Sequence, residues 1–124
     1  TAWWFGIKHI ALSLQCVDPY NPKVVRAGMG AHFNLSIYTR ANLKELTKLG
    51  HEIVAADQNG EPLKSLKKIS DPFCLVMGSE AHGVSEKSQA LADKIISIPG
   101  NSGADSLNVA VAAGILLFTL FDKP

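Results

Sequence analysis

The sequence predicts a single α/β domain with a mostly parallel β-sheet flanked by helices. Two observations favour this class: short apolar segments typical of strands alternate with periodic segments of about ten residues typical of helices, and the composition suits one compact core. The chain has 124 residues, of which 47% are hydrophobic and 19% charged, and its formal net charge is +1. This composition excludes a disordered chain, which would combine low hydrophobicity with high net charge.

The first half of the chain reads as βαβαβ. Strands are expected at residues 7–14, 35–38 and 53–56. A helix should begin near Pro22, whose ring suits a first helical turn, and continue to Met29. The next helix, with Leu43, Leu46 and Leu49 at three-residue spacing, should be capped by Thr39 or Asn42 and end at Gly50.

The second half continues the alternation. Residues 57–62 form a turn cluster, and residues 63–69 are ambiguous but suit a short helix. The continuous apolar run 73–77 is typical of a strand buried on both faces. We then expect a helix from Ser85 to Ala92, a strand at 94–98, a glycine-rich loop at 99–105, and a long apolar helix capped by Ser106.

That last helix falls in an apolar run, 107–121, interrupted by Asn108. The run is shorter than the roughly 20 residues that a membrane span needs, so no membrane association is predicted. Because apolar residues cover every side, the helix should be covered all round, by the sheet on one side and by a further surface such as a partner subunit on the other.

Cysteine content and charge give weaker indications. Cys16 and Cys74 each lie in an apolar run, which favours buried free thiols in a reducing compartment and hence a cytoplasmic location. Residues 1–68 hold 9 basic and 5 acidic residues, whereas residues 69–124 hold 3 and 6. The first half is therefore the preferred face for an anionic ligand, although such charges also suit a solvated surface. The four histidines show no metal-ligand spacing, so no metal site is predicted.

Two loops, 78–83 and 99–105, each follow an apolar strand and precede a helix. Ligands of open parallel sheets bind at the carboxyl ends of strands, where helix N-termini offer unpaired backbone N–H groups. Neither loop carries a dinucleotide fingerprint or a phosphate-binding loop, so spacing alone does not identify a ligand.

Longer motifs are more specific. Phe73-Cys-Leu-Val-Met-Gly-Ser-Glu-Ala-His-Gly-Val84, followed by Ile98-Pro99 and by Ser106-Leu-Asn-Val-Ala-Val-Ala-Ala113, resembles the second and third motifs of SpoU-type RNA 2′-O-ribose methyltransferases of the SPOUT class. Residues 17–33 are similar to the family's Pro-Lys-x-x-Arg-x-Ser-x-Gly-Ala segment, with Gly28 where serine is usual. The resemblance implies a parallel sheet flanked by helices, a deep C-terminal trefoil knot and a homodimer. The connection rules for ordinary folds would have excluded the knot.

The resemblance also implies the function: transfer of a methyl group from S-adenosylmethionine to a ribose 2′-OH of structured RNA, either tRNA or rRNA. By position in the motifs, it implies catalytic roles for Glu80, Ser106 and Asn108. Cofactor-binding roles are implied for Met77, Gly78, Ile98, Leu107 and Ala112, and RNA contacts are expected at Lys23 and Arg26.

Structural explanations exist for the same residues. Glu80 suits the start of a helix and Ser106 an N-cap, whereas Asn108, inside an apolar helix, needs a hydrogen-bond partner. Gly78 could serve as a turn residue, Ile98 and Leu107 as core, and Lys23 and Arg26 as a solvated helix face.

The family's first motif, which holds a catalytic arginine, is expected upstream of residue 1, with Thr1-Ala2 as its remainder. Residues 1–124 would then be a methyltransferase domain that lacks its first strand and most of its first helix. Such a domain would be inactive alone, because the catalytic arginine is missing. Two alternatives remain at this point: a non-catalytic module for dimerisation or RNA binding, and a flavodoxin-like domain for a small ligand.

Overall fold

The computed structural model describes residues 1–66, 69–101, 103 and 106–121. The chain divides into two compact units, residues 1–42 and 43–124. The predicted parallel pairing is confirmed, but the strands form two parallel sheets, of two and three strands, rather than one.

The first unit contains β1 (His9–Ala11), α1 (Pro22–Ala27) and β2 (Ser36–Tyr38), with 3-10 turns at Ala2–Phe5 and Ala31–Asn34. β1 pairs in parallel with β2 and is shorter than the predicted 7–14. Pro22 occupies the first turn of α1, as predicted, and the side chain of Asn21 caps the helix by accepting from the backbone N–H of Lys23 at 3.0 Å. The helix ends before the predicted Met29, because Met29 takes a left-handed backbone conformation with φ 48°.

The second unit contains α2 (Leu43–Lys48), β3 (Glu52–Pro62), β4 (Phe73–Val76), α3 (Glu86–Gln89), β5 (Lys94–Ser97) and α4 (Val109–Phe121). Its sheet has the order β4-β3-β5, and both pairings are parallel. α3 begins just after Ser85, near the predicted start, and Ser85 caps it by accepting from the N–H of Ser88 at 3.2 Å. The helix ends at Gln89 rather than at the predicted Ala92. Residues 63–65 form a short 3-10 helix, consistent with the ambiguous segment.

The predicted turn at residues 57–62 is wrong, because β3 continues to Pro62. After a register shift between Ala56 and Glu61, the strand pairs again with β5. Gly60 permits this close approach, since an added Cβ would lie 2.6 Å from backbone atoms of Ile95. The Oγ of buried Ser97 donates to the carbonyl of Gly60 at 2.9 Å. The Asp-Gln-Asn-Gly-Glu-Pro sequence therefore marks a bulge-like irregularity within a strand.

The core of the second unit lies between its sheet and α4. It comprises the buried side chains of Val54, Leu63, Ile96 and Leu116, with partly buried neighbours that include Met77 and Ile98. Only one side of α4 is buried, since Leu116 and Leu117 are enclosed while Val111 and Phe118 are exposed. Cover on all sides of this helix is therefore not supplied by the described residues of the second unit.

The two cysteines differ in environment. Both are free thiols, but Cys16 is exposed, so its predicted burial is wrong. Cys16 lies in a turn after β1, where its N–H donates to the carbonyl of Ser13. Cys74 lies half-buried in β4, and burial raises the pKa of its thiol because the thiolate is disfavoured away from water. No helix among the described residues is long and apolar enough to cross a membrane.

Candidate functional site

The loop that follows β4 is held tightly closed. Ser79 and Gly83 exchange two backbone hydrogen bonds, of 3.1 and 2.9 Å, and form an isolated antiparallel bridge. Gly78 packs against this bridge so closely that a Cβ would lie 2.0 Å from the carbonyl carbon of Gly83. Gly83 itself has φ +66°, which favours glycine. Residue 78 is therefore a glycine because of close packing, and residue 83 because of its backbone conformation.

Side-chain hydrogen bonds anchor the end of the same loop. The Nε2 of Gln89 on α3 donates to the Oδ2 of Asp57 on β3, at 3.1 Å, and to the carbonyl of Val84, at 3.0 Å. Val84 is buried. Sequence reasoning missed both Asp57, which was assigned to a turn, and Gln89. Both lie in polar stretches of the sequence, Asp57 before Gln-Asn-Gly and Gln89 after Ser-Glu-Lys-Ser, so no sequence signal marks them as a pair.

The structure brings together two of the predicted site residues, Glu80 and Asn108. The Nδ2 of Asn108 donates to the Oε1 of Glu80 at 3.0 Å and joins the loop after β4 to the start of α4. The Oδ1 of Asn108 accepts from the N–H groups of Ala110 at 2.9 Å and Val111 at 3.3 Å. Asn108 therefore uses both ends of its amide, one for each of two elements.

This geometry corrects two predictions. Asn108 precedes α4 and caps it, so it does not lie inside the apolar helix, although its predicted need for a partner is met. Ser106 lies two residues before the cap, is exposed, and makes no hydrogen bond with any described residue. The capping role predicted for Ser106 belongs to Asn108, because a cap must place its acceptor next to the N–H groups of the first turn.

Several peptide groups at the carboxyl edge of the sheet are unpaired. Met77 and Gly78 follow β4, Ile98 follows β5, and all three are half-buried. The backbone N–H and C=O groups of these residues make no hydrogen bond with any described residue. Half-buried peptide groups normally find partners, so this edge is suited to a ligand that offers donors and acceptors.

The cofactor implied by the motifs fits these residues. Its adenine and amino acid parts need backbone donors and acceptors, which Met77, Gly78 and Ile98 offer, and its apolar parts need aliphatic cover. Two residues can supply this cover: Leu107, which precedes α4 and is 49% exposed, and Ala112, which is half-buried in the first turn of α4. The sulfonium of the cofactor is cationic, and the carboxylate of Glu80 in the loop after β4 offers the opposite charge.

The other predicted residues lie elsewhere. Lys23 and Arg26 are exposed on α1 in the first unit. Their three-residue spacing puts them on one face of that helix, as predicted. Within the described part of the chain, no group of three histidine, cysteine, aspartate or glutamate residues could hold a metal ion.

The second unit is an α/β domain with half-buried, unpaired peptide groups at the carboxyl edge of its parallel sheet. The SpoU rRNA Methylase family model matches residues 1–118. The chain belongs to this family, as the motifs predicted.

Two relatives show the extent of the similarity. The chain is 37% identical to an uncharacterized tRNA/rRNA methyltransferase of Archaeoglobus fulgidus, over 97% of this chain and 55% of the relative. It is 33% identical to the Bacillus subtilis 23S rRNA (guanosine(2553)-2′-O)-methyltransferase RlmP, over 93% of this chain and 48% of that protein. The chain thus spans about half the length of these relatives.

Solved structures give the same picture. An AdoMet-bound rRNA methyltransferase from Sinorhizobium meliloti is 31% identical with a TM-score of 0.85, and the match covers 96% of this chain and 47% of that one. The SpoU methyltransferase AviRb from Streptomyces viridochromogenes, in complex with AdoMet, is 25% identical with a TM-score of 0.86, over 97% of this chain and 51% of that one. The α/β architecture with parallel strands is shared with these proteins.

Proposed function

We propose that this chain forms the cofactor-binding part of an RNA 2′-O-ribose methyltransferase that uses S-adenosylmethionine and modifies tRNA or rRNA. The observation that carries the proposal is the hydrogen bond between Glu80 and Asn108, which joins the start of α4 to the loop that holds the unpaired peptide groups of Met77 and Gly78. The names of the relatives, which include a 2′-O-methyltransferase of 23S rRNA, support the reaction and the substrate class.

Cofactor binding is assigned to the two loops and the start of α4. The peptide groups of Met77, Gly78 and Ile98 bind the polar edge of the cofactor, while Leu107 and Ala112 cover its apolar parts. Closure of the Ser79–Gly83 bridge fixes the direction of the Met77 and Gly78 peptide groups before any ligand arrives. A fixed site does not have to order its own loop on binding, and this favours affinity.

The reaction moves one methyl group and one proton. The bound cofactor supplies an activated methyl on its sulfonium; the methyl passes to the ribose oxygen, the hydroxyl proton leaves to a base, and S-adenosylhomocysteine remains. Because the methyl donor is already activated, positioning is the larger contribution from the protein. Glu80, held by Asn108, and the neighbouring Ser106 hydroxyl orient the substrate hydroxyl in this proposal.

RNA is the substrate because its 2′-OH is the reacting group. Lys23 and Arg26, exposed on one face of α1, contact RNA phosphates through charge-assisted hydrogen bonds. These contacts position the RNA without reading its sequence.

The chain functions as a homodimer in this proposal. An apolar stripe on α4 supports the assignment, since it remains exposed at helical spacing: Val111, Ile115 and Phe118. The C-terminal trefoil knot implied by the motifs also belongs to the proposal, supported by the contact of the start of α4 with the loop after β4. A cytoplasmic location is included, supported by the two free cysteines.

A calorimetric titration with S-adenosylhomocysteine tests the cofactor site without RNA. We expect saturable binding to the wild-type chain and loss of binding in Leu107→Arg. Leu49→Arg is the matched control, because Leu49 is a similarly exposed leucine, at 69%, beyond the end of α2. Binding that survives Leu107→Arg would contradict the assigned site. Absence of binding to the wild-type chain would favour the non-catalytic module.

A further inference from the structure

A second concave site lies in the first unit, at the carboxyl edge of its two-stranded sheet. The segments that leave β1 and β2 enclose a cavity of about 260 Å³, lined by residues 12–14, 16–19 and 39–40. The base of the cavity is tied together by backbone bonds of 2.8 Å, from Leu12 to the carbonyl of Tyr38 and from Ala41 to the carbonyl of Leu12. All of its lining belongs to residues 1–42, so it shares no residue with the loops assigned to the cofactor.

One wall of this cavity is formed by apolar side chains that are exposed to solvent. Leu14 and Val17 are each 71% exposed although both line the cavity. Exposed aliphatic side chains at the mouth of a concave site gain free energy when a flat apolar group covers them. At about 260 Å³, the cavity holds roughly nine waters at ~30 Å³ each, which is room for one heterocyclic base rather than a large ligand.

The lining contains both a cationic and an anionic side chain, Arg40 and Asp18. Arg40 is held with φ 57°, in the left-handed region that long side chains rarely adopt, and its guanidinium pairs with no described residue. Asp18 brings a carboxylate, one oxygen of which accepts from the N–H of Tyr20 at 2.9 Å. Ser13 and Thr39 add hydroxyl groups. A ligand with an anionic group for Arg40 and N–H or O–H donors for Asp18 satisfies this set.

We propose that the cavity binds a single nucleotide unit of the RNA, with its base against Leu14 and Val17 and its phosphate on Arg40. A nucleotide combines the three required parts, namely a flat apolar face, hydrogen-bond donors and an anion. Inorganic phosphate has no apolar group to pack against Leu14 and Val17. This inference rests on the proposed function for the presence of RNA, but the cavity and its lining are independent of the cofactor loops.

Cys16 provides a built-in reporter of occupancy. It is exposed, lines the cavity, and lies with its Sγ 3.5 Å from the Oγ of Ser13. The only other cysteine, Cys74, is half-buried in β4 with a raised pKa, so it should alkylate slowly and serve as an internal reference.

The experiment measures the rate of Cys16 alkylation by N-ethylmaleimide in the full chain, by peptide mass mapping. The probes are UMP and AMP, with uridine and inorganic phosphate as the separate halves. We expect at least one of the two nucleotides to protect Cys16 in a saturable manner, with weaker protection by uridine and none by phosphate at the same concentration. Equal protection by inorganic phosphate would overturn the inference, and so would the absence of protection by both nucleotides.

Variants test the role of the guanidinium. Arg40→Asn removes the charge but keeps a residue that tolerates the left-handed conformation, and should raise the half-protecting nucleotide concentration about tenfold. Lys8→Asn removes one positive charge from the same unit outside the cavity lining and should leave that concentration unchanged. An unchanged concentration in Arg40→Asn would refute the phosphate contact.

Titration of the same sample with S-adenosylhomocysteine separates the two proposals. If S-adenosylhomocysteine binds and nucleotides give no protection, only the nucleotide site fails. If nucleotides protect Cys16 and S-adenosylhomocysteine does not bind, the cofactor assignment fails while the nucleotide site stands.

Discussion

The double use of the Asn108 amide yields a prediction in which stability and site geometry can be separated. Asn108→Ala removes the N-cap of α4 together with the hydrogen bond to Glu80. Asn108→Ser retains a capping oxygen but is too short to replace the Nδ2 donor. Glu80→Ala leaves the cap and removes the same link from the other side.

The expected magnitudes follow from the exposure of these groups. An N-cap replaced by alanine costs about 1 kcal/mol, and the link between the two exposed side chains adds about 0.5–1 kcal/mol after allowance for solvent screening. Asn108→Ala should therefore lower the free energy of unfolding by about 1.5–2 kcal/mol, and Asn108→Ser and Glu80→Ala by about 0.5–1 kcal/mol each. The double variant Asn108→Ser with Glu80→Ala should lose little more stability than either single variant, because both changes remove the same hydrogen bond.

Urea unfolding followed by far-ultraviolet circular dichroism is the appropriate assay, since α4 is the longest helix of the described chain. Ser106→Ala is the matched control, because Ser106 lies in the same segment without a hydrogen bond to any described residue, and it should change stability by less than about 0.5 kcal/mol. The reasoning is refuted if Asn108→Ser destabilises as much as Asn108→Ala, or if Ser106→Ala has the larger effect.

Three further predictions concern charge, packing and RNA. The hydrogen bond from Lys94 holds the pKa of Glu52 below its usual 4.5, so its stabilising effect is present above that pH and is lost as the pH falls through the lowered pKa. Glu52→Gln should therefore lower the urea midpoint at neutral pH and converge with wild type in acid, once the pH is below the lowered pKa of Glu52; a pH-independent difference would contradict this. Gly78→Ala, whose Cβ would meet loop backbone at 2.0 Å, should cost about 1–3 kcal/mol and weaken S-adenosylhomocysteine binding measured by calorimetry, whereas unchanged affinity would refute a rigid loop. Replacing Lys23 and Arg26 together by Gln should weaken RNA binding and lower its salt slope by about 2 while leaving S-adenosylhomocysteine affinity unchanged; an unaltered slope would exclude phosphate contacts there.

The alternation of strands and helices could be predicted from the sequence because it depends on local apolar periodicity. Phe73–Val76 and Lys94–Ser97 lie within one residue of the predicted strands. The continuation of β3 through residues 57–62 could not be predicted, since it depends on non-local pairing of Glu61 and Pro62 with β5 after a register shift. Local turn propensity was overridden there by the sheet. The division into two units was also hidden, because no linker composition marks residue 42.

The site was predictable only in part, and for a physical reason. The motifs predicted site roles for Glu80 and Asn108, which are 28 positions apart in the sequence and are brought into contact by the fold. The helix start was misplaced by two residues because Ser106 and Asn108 are both good capping residues, and sequence alone cannot decide between adjacent candidates. The contacts of Asp57 and Gln89 carry no sequence pattern, since their partners come from β3, α3 and the loop between β4 and α3.

These contacts explain how a site made of loops can be rigid. The loop after β4 is closed on itself by the Ser79–Gly83 bridge and fixed at its far end by Gln89, while Glu80 at its tip meets the cap of α4. The contacts of Gln89 and Asn108 are hydrogen bonds to two different elements, so a shift of the loop must break bonds to both of them. Unpaired peptide groups held in this way pay little conformational entropy when a ligand binds. This rigid loop also restricts the sequence, because residue 78 must remain glycine for the loop to close.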